Sequence, residues 1–120
     1  MRKIALIVTL LLVITFACLP QALAQEVYAV TEKNGGKIND YYVVTESIQN
    51  NGNAFGLTIH VVGQNHSYNE YSNWFYANIR GKWHFVPGGQ LAAAMQIDRI
   101  EEPMFRSVVY GVFKTARKYM

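Results

Sequence analysis

The residues able to do chemistry in this chain are few, and their spacing decides what they are worth. His60, His66 and His84 are the three histidines, and with Glu70 they are the side chains from which a metal site could be drawn. Zinc asks for three or four converging ligands. No two of these histidines stand at the close spacing of a zinc motif, so they read as strand and loop residues, and no metal or cofactor is expected. Ser47, Ser67, Ser72 and Ser107 lack the Gly-x-Ser-x-Gly setting of an activated hydroxyl. Glu101 and Glu102 are adjacent and cannot both face one cleft; they suit a helix N-terminus, where the dipole favours negative charge. Gly88-Gly89 is too short for a phosphate loop. The expectation is a protein that is not an enzyme, the alternative being an enzyme with an unrecognised site.

Aromatic side chains are the stronger lead. Tyr41, Tyr68, Tyr71, Trp74, Tyr76 and Trp83 exceed what one small core obviously needs, and tyrosine and tryptophan dominate binding hot spots. Tyr68, Trp74 and Tyr76 are the candidate ligand-binding residues. The competing reading is that these rings fill strands and form cross-strand pairs.

Those side chains must be positioned by a small domain that follows an export segment. The chain has 120 residues. Arg2 and Lys3 precede an uncharged apolar run from Ile4 to Ala17, Pro20 breaks it, and Ala22-Leu23-Ala24 has the small-x-small pattern read by a signal peptidase. The run is shorter than the roughly 20 residues of a membrane-spanning helix. Residues 1–24 therefore read as a signal peptide, removed after Ala24, and residues 25–120 as one domain. The rival is Cys18 as a lipidated N-terminus. The positions before it, Thr15, Phe16 and Ala17, fit a lipoprotein site only at the last.

The chain carries 11 Lys and Arg against 8 Asp and Glu. Loss of Arg2 and Lys3 brings the remainder close to +1, which is not the basic stripe of a nucleic-acid binder. Cys18 is the single cysteine, so no intramolecular disulfide can form and stability must come from packing. Asn65-His66-Ser67 matches the glycosylation acceptor pattern, in a segment from Gln64 to Asn69 that reads as a loop.

Turn signals divide residues 25–120 into strands. Asn34-Gly35-Gly36 and Asn51-Gly52 are hairpin turns, because asparagine and glycine tolerate positive φ. From Ala54 to Val62, Phe55, Leu57, Ile59 and Val61 alternate with Thr58 and His60, the period-two pattern of a half-buried strand. "YSNWFYANIRGKWHFV" reads as a tight hairpin turning at Arg80-Gly81. Tyr71, Phe75, Ala77 and Ile79 share one face, Trp74 and Tyr76 the other. On the return strand Trp83 and Phe85 oppose Lys82 and His84. Residues 90–100 suit either a helix or a short strand, with strand preferred.

Pro103 then opens a terminal helix in which Phe105, Val108, Val109, Val112, Phe113 and Ala116 form one apolar stripe. Lys114, Arg117 and Lys118 lie near its C-terminus. The fold class expected is α+β: an antiparallel sheet of five or six strands packed on one C-terminal helix. The helix is expected on the Phe75 face, which would leave Trp74 and Tyr76 open to a partner.

"YYVVTESI", Tyr41 to Ile48, resembles the Tyr-x-Asp-Thr-x-Ser-Ile stretch of small exported domains of the surface-adhesin protein E type. The tryptophan-bearing hairpin and Pro-opened helix follow in a similar order. Val44 departs from the motif, which often has an acidic residue there, and the cysteine often found near the end of such chains is missing. The resemblance implies a periplasmic or cell-surface protein with adhesion as one role.

Taken together, the sequence leads to an exported, non-enzymatic binding protein of the envelope or cell surface. Its partner would be a protein or surface ligand, with no nucleic acid and no transmembrane segment in the mature chain. The alternative is an accessory subunit that docks on an envelope complex through its sheet edge or helix.

Overall fold

A computed structural model describes residues 25–120; the expected signal peptide, its expected cleavage point and Cys18 lie outside the described residues. Six strands form one antiparallel meander in chain order: β1 (Glu26–Asn34), β2 (Lys37–Asn50), β3 (Ala54–Gly63), β4 (Asn69–Ile79), β5 (Lys82–Phe85) and β6 (Met95–Gln96). One helix, α1 (Pro103–Arg117), closes the described chain. The α+β arrangement read from the sequence is the one observed. No helix among the described residues is long and apolar enough to cross a membrane.

Turn chemistry sets the register. Gly35 and Gly36 both take positive φ, at 59° and 86°, and this two-residue loop places Asn34 opposite Lys37. Arg80 and Gly81 repeat the device at 56° and 81°, pairing Ile79 with Lys82. Two consecutive residues of this kind match the twist of an antiparallel hairpin. Between β2 and β3 the Asn51 side chain accepts from the Asn53 and Ala54 amides, tying the loop without help from a core. The Gln64–Asn69 segment contains a 3-10 turn at Gln64–His66 and then enters β4 at Asn69.

The long β2 strand is interrupted where its register on β3 shifts between Val44 and Gln49. Ser47, buried at the shift, repairs the ladder. Its hydroxyl donates to Val44 O at 2.6 Å and accepts from the Thr58 amide at 2.7 Å. Ser47→Ala strands that amide in the interior, and an unsatisfied buried donor costs about 1–3 kcal/mol. Chemical denaturation should show a loss in this range, and an unchanged midpoint would mean water replaces the hydroxyl.

α1 begins where the sequence places it. Pro103 occupies the first turn, and the Glu102 carboxylate accepts from the Phe105 amide. The apolar stripe packs on the sheet, with Val108, Val109, Val112 and Ala116 buried. Residues 90–100 resolve into two 3-10 turns, Leu91–Ala93 and Ile97–Arg99, flanking the two-residue strand β6.

The side on which α1 sits corrects the sequence expectation. β3 pairs with β4 so that Phe55 lies opposite Tyr76 and Leu57 opposite Trp74. Directly opposed residues of an antiparallel pair point to the same face. The aliphatic stripe of β3 therefore carries Trp74 and Tyr76 with it, and α1 covers that face, not the Phe75 face. The main core joins Val43, Phe55, Leu57, Ile59, Tyr76 and Phe85 to Val109, Val112 and Ala116, with Trp74 and Trp83 packed against it. Phe75 and Ala77 are covered instead by the chain after β5. Together with Ala54 and Val86 they make a second small core, capped by Ile79, Leu91 and Ala94.

Candidate functional site

The residues singled out from sequence are separated by this packing. Tyr76 is 0 % exposed, stacked on Phe55 with ring centroids 4.9 Å apart, and its hydroxyl donates to Val109 O at 2.7 Å. It is a core residue, and the expectation that it lies on an open face is corrected. Trp74 is partly buried, packed against Phe85 at 4.9 Å and Tyr41 at 5.8 Å. Tyr68 alone is exposed, its hydroxyl donating to Glu70 at 2.9 Å, and this bond holds its proton above the ordinary tyrosine range. Tyr68 and Trp74 thus flank Tyr41 on the helix-bearing face, while Tyr76 sits under the helix.

The opposite face holds an array that the expected orientation obscured. Pairing aligns Tyr28 with Tyr42, Tyr42 with His60, and His60 with Tyr71 across four strands. His60 and Tyr71 stack with centroids 4.1 Å apart and planes 7° from parallel. Tyr28 meets Tyr42 edge to face at 6.0 Å. The covering segment after β5 reaches only the Phe75–Ala77 end of this face, so Tyr28 and Tyr71 remain 54 % and 50 % exposed.

Hydrogen bonds fix these rings. Glu26 bridges two of them, accepting at Oε1 from His60 Nδ1 at 2.6 Å and at Oε2 from the Tyr71 hydroxyl at 2.8 Å. An ionised carboxylate can only accept, so the Nδ1 position of His60 carries a proton. The other ring nitrogen lies 2.5 Å from Asn69 Oδ1. The Tyr71 hydroxyl is pushed above its ordinary pKa, first by its bond to Glu26 and then by partial burial. Beside this group the Tyr28 and Thr31 hydroxyls are 2.7 Å apart, and Thr31 donates to Asp40 at 2.5 Å. Thr58 donates to Asn73 at 3.0 Å on the same face.

The arrangement is suited to recognition. Rings held by their neighbours lose little freedom on binding, which lowers the cost of association, and each tyrosine offers an apolar body with a polar tip. Both nitrogens of His60 face oxygen atoms, which fixes the ring in place. His84 turns its Nδ1–H onto Lys82 O at 2.8 Å. Among the described residues no group of three His, Cys, Asp or Glu side chains is placed to hold a metal ion.

Sequence reasoning caught part of this face. The alternation of Thr58 and His60 with the aliphatic residues of β3 marks its polar side, and the period of two in β4 puts Tyr71 on the face of Phe75. What it missed was Tyr28, Tyr42 and Glu26. The register that brings them to His60 depends on a shift between Tyr28 and Val30 in β1, for which the sequence offers no signal. Comparison with family models, curated proteins and solved structures returns no match for this chain.

Proposed function

We propose that this chain is an exported, non-enzymatic binding protein of the cell envelope or surface. Its contact face is the Tyr28, Tyr42, His60 and Tyr71 array. The observation that carries the reading is the exposure of Tyr28 and Tyr71 on a sheet face where Glu26 holds His60 and Tyr71 and Thr31 meets the Tyr28 hydroxyl. An antiparallel sheet can leave one face to water, but polar residues suffice for that; a fixed row of aromatic rings favours a partner. Export rests on the basic, apolar and small-residue pattern of residues 1–24, and adhesion on the resemblance of Tyr41 to Ile48 to surface-adhesin domains. The accessory-subunit alternative has less support at the β1 edge. The irregularity between Tyr28 and Val30 kinks that strand, a feature that discourages edge-to-edge addition.

The test is capture by residues 25–120 of a panel of immobilised extracellular proteins and polysaccharides. Tyr28→Ala combined with Tyr71→Ala should weaken any capture shown by the wild type at least ~10-fold, as expected for losing hot-spot rings of 2 kcal/mol or so. The melting temperature should stay within a few degrees, because both side chains are half exposed. Undiminished capture by the double variant would remove this face from the binding reading.

A further inference from the structure

A concavity lies on the helix-bearing side, between the N-terminal half of α1 and the β5–β6 end of the sheet. It encloses about 550 Å³, within the range of small-molecule sites. Trp83, Ile97, Pro103 and Phe113 give it an apolar lining, and Lys82 and Arg106 stand at it as cations. Trp83 and Phe113 touch at 5.4 Å, and the Arg117 guanidinium lies 5.1 Å above the Trp83 ring.

The charges are not matched internally. Among the described residues the one contact of salt-bridge geometry is His60–Glu26, so neither Lys82 nor Arg106 has an acidic partner in contact. Arg106 spends one donor on Ile100 O at 2.7 Å, and a guanidinium has five. The one acid in the lining, Asp98, accepts from Gln96 Nε2 at 2.6 Å and touches neither cation, so the lining keeps a net positive charge. An apolar cleft beside unneutralised cations fits a ligand with an apolar body and one anionic head. The neighbouring strand β6 has two residues and offers little backbone for pairing an extended peptide.

We propose that this groove binds a monomeric amphiphilic carboxylate, its hydrocarbon body against Trp83, Ile97 and Phe113 and its head held by Lys82 and Arg106. This site is separate from the tyrosine face and stands or falls independently of it.

Dodecanoate, kept below its micelle-forming concentration, and dodecanol are the probes, titrated calorimetrically into residues 25–120. Dodecanoate should bind at one saturable site, with dodecanol about 10-fold weaker, a difference of the size expected for one charge-assisted contact. Lys82→Gln should weaken dodecanoate several-fold toward the affinity of dodecanol and leave dodecanol binding unchanged, and unchanged dodecanoate binding would overturn the proposal. Arg106→Gln should do the same, and Lys82→Gln decides the matter if loss of the Ile100 contact unsettles that variant. Ser107 is exposed and lines the groove, so Ser107→Trp should fill it and abolish binding of both probes while the fold melts as before. Absence of saturable binding, equal affinity for the two probes, or full binding by Ser107→Trp would each overturn the proposal.

Discussion

Val109→Asp should leave the domain unfolded or close to it at room temperature. Val109 is 0 % exposed, set in the main core against the sheet, with no cation among the described buried residues to receive a carboxylate. An unpaired charge buried in this way costs about 3–5 kcal/mol, a large share of the ~5–15 kcal/mol that holds a small domain together. With no disulfide available from a single cysteine, nothing covalent compensates. Lys118→Asp is the control: the site is exposed beyond the last turn of α1, where an acid opposes the helix dipole by only about 0.3–1 kcal/mol. Circular dichroism melts of the two variants should differ sharply, and similar melts would mean that α1 does not pack on the sheet.

Tyr76→Ala comes next in size. The ring contacts Phe55, Phe85 and Phe113, and its hydroxyl gives a second hydrogen bond to a helical carbonyl. Removing such a residue from a core costs about 3–5 kcal/mol, whereas Tyr76→Phe gives up one hydrogen bond, about 0.5–1.5 kcal/mol, because the Val109 carbonyl keeps its partner within the helix. The same residue makes the fold sensitive to alkali. Burial pushes the Tyr76 hydroxyl well above its ordinary pKa; burial, then Glu32, raises that of Tyr41. An unfolded tyrosine ionises near pH ~10, while these remain protonated in the folded chain. The folded state then binds more protons, so stability is full below that pH and falls as pH rises above it. Denaturation midpoints should drop more steeply above that pH in the wild type than in Tyr76→Phe. Equal slopes would indicate that Tyr76 is not sealed in the core.

The elements of the fold could be read because each carries a local signal. Asn34-Gly35-Gly36 and Gly81 announce hairpins because asparagine and glycine tolerate positive φ, the β3 stripe announces a half-buried strand, and Pro103 with the valine stripe announces α1. The pairing of faces could not be read. Residues 55–61 and 74–76 both alternate, and alternation assigns residues to two sides without saying which side of one strand joins which side of the next. Only the observed register, Phe55 opposite Tyr76, resolves it. Gly111 shows a second limit. In sequence it is a costly residue inside a helix. In the structure a Cβ there would stand 2.8 Å from Val30 Cβ, so glycine is what lets α1 approach β1. The candidate site suffered most from these limits, since its residues come from four strands and are united by register alone.

Chemical labelling of tyrosine in the folded domain, followed residue by residue with mass spectrometry, tests the arrangement most directly. If α1 covers the Tyr76 face and leaves the opposite one as the contact surface, Tyr28 and Tyr71 label readily and Tyr76 stays unlabelled until the domain is unfolded. Rapid labelling of Tyr76 in the native domain, with Tyr28 and Tyr71 protected, would place the helix on the other side of the sheet and contradict the account.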